Sequence, residues 1–269
     1  MPPELPDPET IDKQVDQIVL TITASQSDAL VAGITAYYKA GSDDVRPSTR
    51  LTNVQKNAIK KLSAEHFGYI SEFNRNVGEQ IKDKSRDLLK QEKGYKEISE
   101  EVKQYAEDVF SGNEKITINN VGKTRKVIEV GKDGTLRKVE KTITRPYVTN
   151  TQAYSDMLSR TATHTAWEQG RASEYQRMGF KFWRYVCVCD SRSRADHCAL
   201  SGSVFEYGTP ESDMAFEMMH SPNCRCRQVI YFSDDELDTP PSVFEEMKKN
   251  AGLEYDEEKG WIFKTPNPA

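Results

Sequence analysis

Apolar residues recur along this chain at intervals that change partway through, and the changes mark its segments. Val54, Ile59, Leu62, Phe67, Ile70, Phe73, Val77 and Ile81 return every three to five positions. That spacing lays one stripe along a helix. It predicts a long helix from a Thr52-Asn53 cap to about Lys90, broken at Gly94. Upstream, residues 1–14 are Pro-rich and polar and read as an arm. A first helix is expected over about Val15 to Lys39, closed by Gly41-Ser42-Asp43-Asp44, with Pro47 in the loop that follows. Ile98, Val102, Tyr105 and Val109 place a further helix over Tyr95 to Phe110, ended by Ser111-Gly112.

The residue types then change. Thr124 to Val130 and Thr135 to Ile143 are rich in β-branched residues and flank Lys132-Asp133-Gly134, a hairpin signal. Helical spacing resumes near Asn150 and runs to Met178, where Gly179 supplies a C-cap. Tyr154, Leu158, Thr161, Thr165, Ala172 and Tyr175 form its inner face. Arg160, His164, Trp167 and Arg171 form a second stripe. Strands are expected at Phe182 to Val188 and Val229 to Phe232. Beyond them lie an acidic stretch (Asp234, Asp235, Glu236, Asp238), a short helix at about Ser242 to Asn250 and a strand near Trp261-Ile262-Phe263. The fold class these elements define is α+β.

Composition narrows the function. A charged fraction of 29% against 36% hydrophobic suits an elongated helical protein or one that buries surface against partners. A net charge of -5 argues against a chain that coats nucleic acid along its whole length. Charge is uneven, however. Val121 to Arg145 holds eight basic residues against three acids, a local charge of +5. Lys123, Arg125, Lys126, Arg137, Lys138 and Lys141 could contact DNA phosphates without reading sequence. They could equally be solvated charges that keep exposed strands from pairing with neighbours. No uninterrupted apolar run approaches the ~20 residues of a bilayer span. The start Met1-Pro2-Pro3-Glu4 lacks a signal peptide's basic residues. No membrane partner is therefore expected, and the chain is expected to stay in a cytoplasm.

All five cysteines lie between Cys187 and Cys226, and His197 and His220 share that window. In a reducing compartment such clustering reads as metal binding before disulfides. His197, His220, Cys224 and Cys226 make a candidate tetrahedral zinc set, with Cys187, Cys189 or Cys198 able to replace a histidine. Cys224-x-Cys226 is tighter than the usual spacing. A metal-free fold is the alternative, with His197 and Asp190 pinning the loop and the thiols acting as small apolar groups. A Cys–His nucleophile is the third reading, and it needs an exposed pocket.

The block from Ser159 to Arg227 carries more than spacing. It reads Arg160-Thr161-Ala162-Thr163, Gly170-Arg171, Gly179, Trp183, Asp190, Asp196-His197, Leu200-Ser201-Gly202 and His220-Ser221-Pro222-Asn223-Cys224-Arg225-Cys226. This pattern resembles the C-terminal domain of the Mu F-like head-morphogenesis proteins of tailed phages, over roughly Asn150 to Tyr231. Two departures stand out. Ala162 replaces an acid common in relatives, and Arg194 stands where many have a cysteine.

The residue pattern and this resemblance together divide the chain into an arm at 1–14, a helical region at 15–120, a basic hairpin at 121–145, a Mu F-like domain at 146–232 and an acidic tail with a short helix and strand at 233–269. Arg160, Thr161, Arg171 and Asp190 would be structural polar groups, with the two arginines bonding loop carbonyls and Asp190. The implied role is that of a minor head protein, not an enzyme, inside the virion head and in the host cytoplasm during assembly. It would meet the portal or major capsid protein, with the packaged double-stranded DNA as a further candidate partner and a part in packaging or delivery. The rivals are a metal-dependent nuclease using Asp190 and Asp196, or a DNA-binding accessory protein.

Overall fold

The stripe that begins at Val54 does fold as one helix. The structure, a computed structural model, describes residues 8–48, 50–91, 95–232 and 241–264. Its helices are α1 (Pro8–Val45), α2 (Asn53–Leu89), α3 (Tyr95–Ser111), α4 (Thr151–Arg177), α5 (Ala195–Ala199), α6 (Pro210–Met219) and α7 (Pro241–Asn250). Its strands are β1 (Ile116–Ile118), β2 (Thr124–Val130), β3 (Leu136–Thr142), β4 (Tyr147–Thr149), β5 (Phe182–Val186), β6 (Val204–Glu206), β7 (Arg227–Ile230), β8 (Leu253–Asp256) and β9 (Gly260–Phe263). Long helices lead and small antiparallel sheets follow, so the class is α+β.

Several boundaries differ from expectation. Helix α1 starts at Pro8, so residues 8–14 are not part of an arm, and it continues through Gly41-Ser42-Asp43-Asp44 to Val45. Pro47 disfavours helical geometry in the residue before it, which fits this later stop. Asp12–Val45 is long and apolar enough by length and composition to cross a membrane, although no uninterrupted apolar run is. The acidic stretch 234–238 lies outside the described residues. Helices α5 and α6 and strands β1, β4, β6 and β8 have no counterpart in the apolar pattern. Those strands are only three or four residues long, too short to show a period.

The chain divides into two compact units. The first comprises Met1–Thr35, Lys56–Lys123 and Ile143–Ser159. Here α1 and α2 run antiparallel, because partner numbers fall in α2 as they rise in α1. Asp12 pairs with Arg86 at 2.6 Å, Asp16 with Lys82 at 2.6 Å, and Thr23 accepts from Asn74 at 2.9 Å. Gly78 lets Val19 approach between these pairs. Val15, Phe73, Val77, Ile81, Val109, Ile116, Ile118 and Tyr154 form the core. Phe73 and Tyr154 stack at 4.1 Å. At the other end of the stripe, Val54 is 75% exposed, so the stripe is not buried along its whole length.

The second unit comprises Ala36–Gln55, Thr124–Thr142 and Arg160–Ala269. It is built on the sheet β6-β5-β7, in which both neighbours run antiparallel to the central strand. Trp183 on β5 is fully buried among Phe205, Tyr207 and Phe216, and its Nε1 donates to Ser212 Oγ at 2.9 Å. Thr209 caps α6 through its hydroxyl, with Pro210 opening the helix. The hairpin β2–β3 turns through Gly134 (φ +82°) and lays Ile128, Val130 and Leu136 on this core. The last turns of α1 cross α4 closely. A Cβ on Gly41 would stand 2.0 Å from the Trp167 carbonyl oxygen, and one on Gly170 would stand 2.0 Å from that of Tyr38. Gly41 therefore makes a helix crossing rather than a helix end.

Candidate metal centre

Three segments bring the cysteines and histidines together. Strand β5 delivers Tyr185 and, just past its end, Cys187. Helix α5 delivers His197. The turn before β7 delivers Cys224 and Cys226. Asn223 shapes that turn. It adopts a left-handed conformation (φ +57°), which asparagine tolerates. Its backbone N–H donates to Thr161 Oγ1 at 3.1 Å, and its side chain accepts from Arg160 Nε at 3.1 Å. Arg194 donates to the Pro222 carbonyl at 2.9 Å. The Pro-Asn-Cys order thus swings both following cysteines inward.

Nδ1 of His197 stands 3.5 Å from the sulfur of Cys224 and 3.5 Å from that of Cys226. These three ligand atoms lie within 4.8 Å of one another. Tetrahedral zinc has Zn–S bonds of about 2.3 Å and Zn–N bonds of about 2.0–2.1 Å, which sets an N···S edge of about 3.5 Å. The donor atoms and their separations therefore fit a metal ion. His197 and Cys226 are each 3% exposed and Cys224 9%, so the group is closed from solvent. The hydroxyl of Tyr185 lies 3.0 Å from the same Nδ1, and burial pushes its pKa well above the usual value.

The thiols share charge unevenly. Bonding from Cys226, then from His164 and His197, holds Cys224 far below the usual thiol range despite burial. Cys226 rises in turn through its bonds to Cys187 and Cys224. Cys187 is drawn down to about 6 by its bond with Cys226. Burial opposes a charge on His164, but its bond to Cys224 and the nearby Glu168 outweigh it and raise the pKa. Glu168, raised by burial, accepts from the Gln228 backbone N–H at 3.2 Å.

Several expected roles move. His220 is not in the metal-competent group. It sits at the C-cap of α6, edge-on to Phe216 at 5.1 Å. Cys189 and Cys198 form a disulfide, which corrects the expectation of metal binding before disulfides for those two thiols. Asp190 is held by Arg225 and not by Arg160 or Arg171. Arg225 Nη1 donates to it at 2.8 Å and Nη2 makes a second, shorter contact. That pairing keeps the carboxyl far below the usual range. Arg171 instead donates to the Tyr175 hydroxyl at 2.7 Å and lies over the Trp167 ring. Asp196 accepts from the backbone of His197.

The nucleophile reading finds no support in geometry. The surface depression lined by Cys189, Asp190, Ser191 and Val243 does not include His197, Cys224 or Cys226. Tyr185, His164 and Arg225 also belong to the site; the sequence marks His164 through the second stripe of α4 and Arg225 through the Cys-Arg-Cys motif, but carries no signal for Tyr185.

The basic residues of the hairpin are exposed. Lys138 pairs with Glu217 at 2.5 Å and Lys141 with Glu129 at 2.7 Å. Arg125, Lys126 and Arg137 stand outside those pairs. Lys123, in the first unit, donates to Asn120 at 2.7 Å.

This is an α+β chain whose three-stranded sheet carries a buried His/Cys group at one end, with Asp190 held by an arginine and Asp196 by backbone. The chain belongs to the family described as Phage Mu protein F like protein, which matches residues 79–229. It is 37% identical over 71 residues to the putative capsid assembly protein F of Escherichia phage Mu, covering 24% of this chain and 15% of that protein. It is 45% identical over 49 residues to the Mu-like prophage FluMu F protein of Haemophilus influenzae, covering 17% and 11%. The matched part thus spans well under a fifth of either relative's length. No solved structure matches this chain.

Proposed function

We propose that this chain is a minor head protein that acts in phage head assembly close to the portal, and that it resides in the virion after assembly in the host cytoplasm. Membership of the Mu F-like family, one of whose relatives carries the name of a capsid assembly protein, is the observation that supports this reading most. The site agrees with a structural role. Its His and Cys side chains face one another in the interior, and Asp190 is engaged by Arg225, so neither candidate carboxylate stands beside an open metal position as a nuclease would need.

A zinc ion on His197, Cys224 and Cys226 belongs to the proposal. Its task is to close the loop between β5 and β7, where binding energy becomes folding energy. The portal and the major capsid protein are the partners expected of such a protein. Packaged double-stranded DNA is a further one, met by Arg125, Lys126 and Arg137 on the exposed hairpin.

Purified procapsids test the assembly role. The chain is expected in wild-type particles at few copies and missing from particles assembled without portal. Equal recovery from portal-free particles would remove the portal link. Absence from all particles would refute the head assignment.

A further inference from the structure

We propose that Cys187 is the fourth ligand of this centre, making a closed site of three thiolates and one imidazole for Zn²⁺. The inference rests on the zinc reading above and adds what that reading lacks, a complete coordination shell. The pairing of β5 with β7 carries it. Trp183 stands opposite Ile230, Arg184 opposite Val229, Tyr185 opposite Gln228 and Val186 opposite Arg227. Continued one step past the end of the ladder, that register sets Cys187 opposite Cys226, next to the three residues whose ligand atoms lie within 4.8 Å of one another but outside that group. Directly opposed residues share a sheet face, with Cβ atoms about 4.5–5.5 Å apart. Each thiol also shifts the other's pKa, Cys187 downward and Cys226 upward.

Cys187 is also fixed in place. Ser201 Oγ takes the Cys187 backbone N–H at 3.0 Å and donates to its carbonyl at 3.2 Å. The residue is 3% exposed and its thiol is free.

The competing donors are engaged elsewhere. Cys189 and Cys198 are joined to each other, His220 packs on Phe216, and Asp190 is held by Arg225. His164 lies beside Cys224, each shifting the other's pKa. That is the position of an outer-shell donor to a metal-bound thiolate, and such partners orient a ligand and offset its charge. Three thiolates and one histidine is a standard closed zinc set, and a full shell of protein ligands leaves no position for substrate or activated water.

X-ray absorption at the zinc edge of the full-length protein counts the ligands directly. Three sulfurs and one nitrogen are expected, with one sulfur fewer in Cys187→Ser and an unchanged count in His164→Gln. Two sulfurs with two light atoms in the wild type would overturn the role of Cys187 and leave the zinc reading standing. So would a Cys187→Ser protein that keeps the wild-type sulfur count. A wild-type protein that takes up no zinc even on reconstitution would overturn the zinc reading itself, and this inference with it. Should Cys187→Ser fail to fold, the wild-type count still decides.

Discussion

Alanine at Gly41 is expected to destabilise the protein, while alanine at Gly33 on the same helix is expected to stabilise it. Intrinsic helix preference favours alanine over glycine by about 0.8–1.0 kcal/mol at both positions. The surroundings decide the sign. A Cβ at Gly33 meets nothing within 4 Å. At Gly41 it would lie 2.0 Å from the carbonyl oxygen of Trp167, 2.7 Å from its carbonyl carbon and 2.9 Å from its Cα. All three are backbone atoms, so no rotamer change relieves the clash. Ordinary contact begins near 3.4 Å, so α1 and α4 must part by up to about 1.4 Å at this point.

Overpacking of that kind costs about 1–3 kcal/mol. The crossing is also pinned by buried polar bonds. Ser42 Oγ donates to Glu174 at 3.1 Å and Gln55 Nε2 donates to it at 2.9 Å. Loosening bonds to a charged group adds about 1.5–3 kcal/mol. After the helix preference is subtracted, Gly41→Ala should lose about 1.5–5 kcal/mol, at roughly 2–4 °C of Tm per kcal/mol. Urea denaturation followed by circular dichroism, run on wild type and both variants, measures the difference. A midpoint for Gly41→Ala equal to or above that of Gly33→Ala would refute the close crossing. Gly170→Ala should behave like Gly41→Ala, since its Cβ would lie 2.0 Å from the Tyr38 carbonyl oxygen. The double variant should lose less than the sum, because one separation relieves both clashes.

Burial lowers the pKa of His66, so the unfolded chain binds the extra proton first as pH falls below about 6.5, and stability is lost in that direction. His66→Leu should flatten the fall in urea midpoint between pH 7 and pH 5.5, and an unchanged slope would contradict the assignment. Cys189→Ser opens a loop with a sequence separation of 9 and should cost about 2.5 kcal/mol on chain entropy, read as a drop in urea midpoint under non-reducing conditions. The same loss should appear in wild type on reduction, and a variant insensitive to both would mean that the bond does not form. Charge reversal in Lys126→Glu with Arg137→Glu should weaken retention on double-stranded DNA and reduce its salt slope by about 0.9 for each phosphate left unneutralised. An unaltered slope would assign those cations to solvent.

Helix legibility followed the regularity of the apolar repeat and not length, since the short α3 and α7 agree with expectation while α1, the longest helix, does not. α2 and α4 each repeat their stripe over several turns, and their limits agree with expectation to within a residue or two. α1 departs from expectation at both ends, for separate reasons. Pro8 is tolerated in a first helical turn, and Gly41 is required by a neighbour distant in sequence. No local signal separates a glycine that ends a helix from one that admits another backbone. Within the site, His197, Cys224 and Cys226 were legible as soft ligands held in one window. His220 was not separable from them, because its removal from the cluster depends on α6, whose last turn directs it at Phe216. Pairing between Cys189 and Cys198 likewise depends on the left-handed Cys189 (φ +52°) and on α5, neither of which shows a period.

The core of the second unit gives a reason for so much cross-linking chemistry in one place. Among its described buried residues only Val130 and Leu200 are branched aliphatics, while five are cysteines. A cysteine removes less apolar area from water than a leucine, and at about 25 cal/mol per Å² the deficit accumulates over those positions. Polar groups sit in the same interior and are held by directional bonds. Gln228 is fully buried, accepts from the Tyr207 hydroxyl at 2.9 Å and donates to the Glu168 carbonyl. Such bonds hold geometry well and add modest net stability, about 1 kcal/mol each. A unit assembled this way needs covalent or coordinate closure more than a leucine-rich one does. The disulfide and the His/Cys group, whose His197 lies between the two bonded cysteines, supply it in the same loop. Loss of either closure should therefore loosen the β5–β7 loop before it disturbs the helices of the first unit, whose core of Phe73, Val77, Ile81 and Val109 rests on apolar burial.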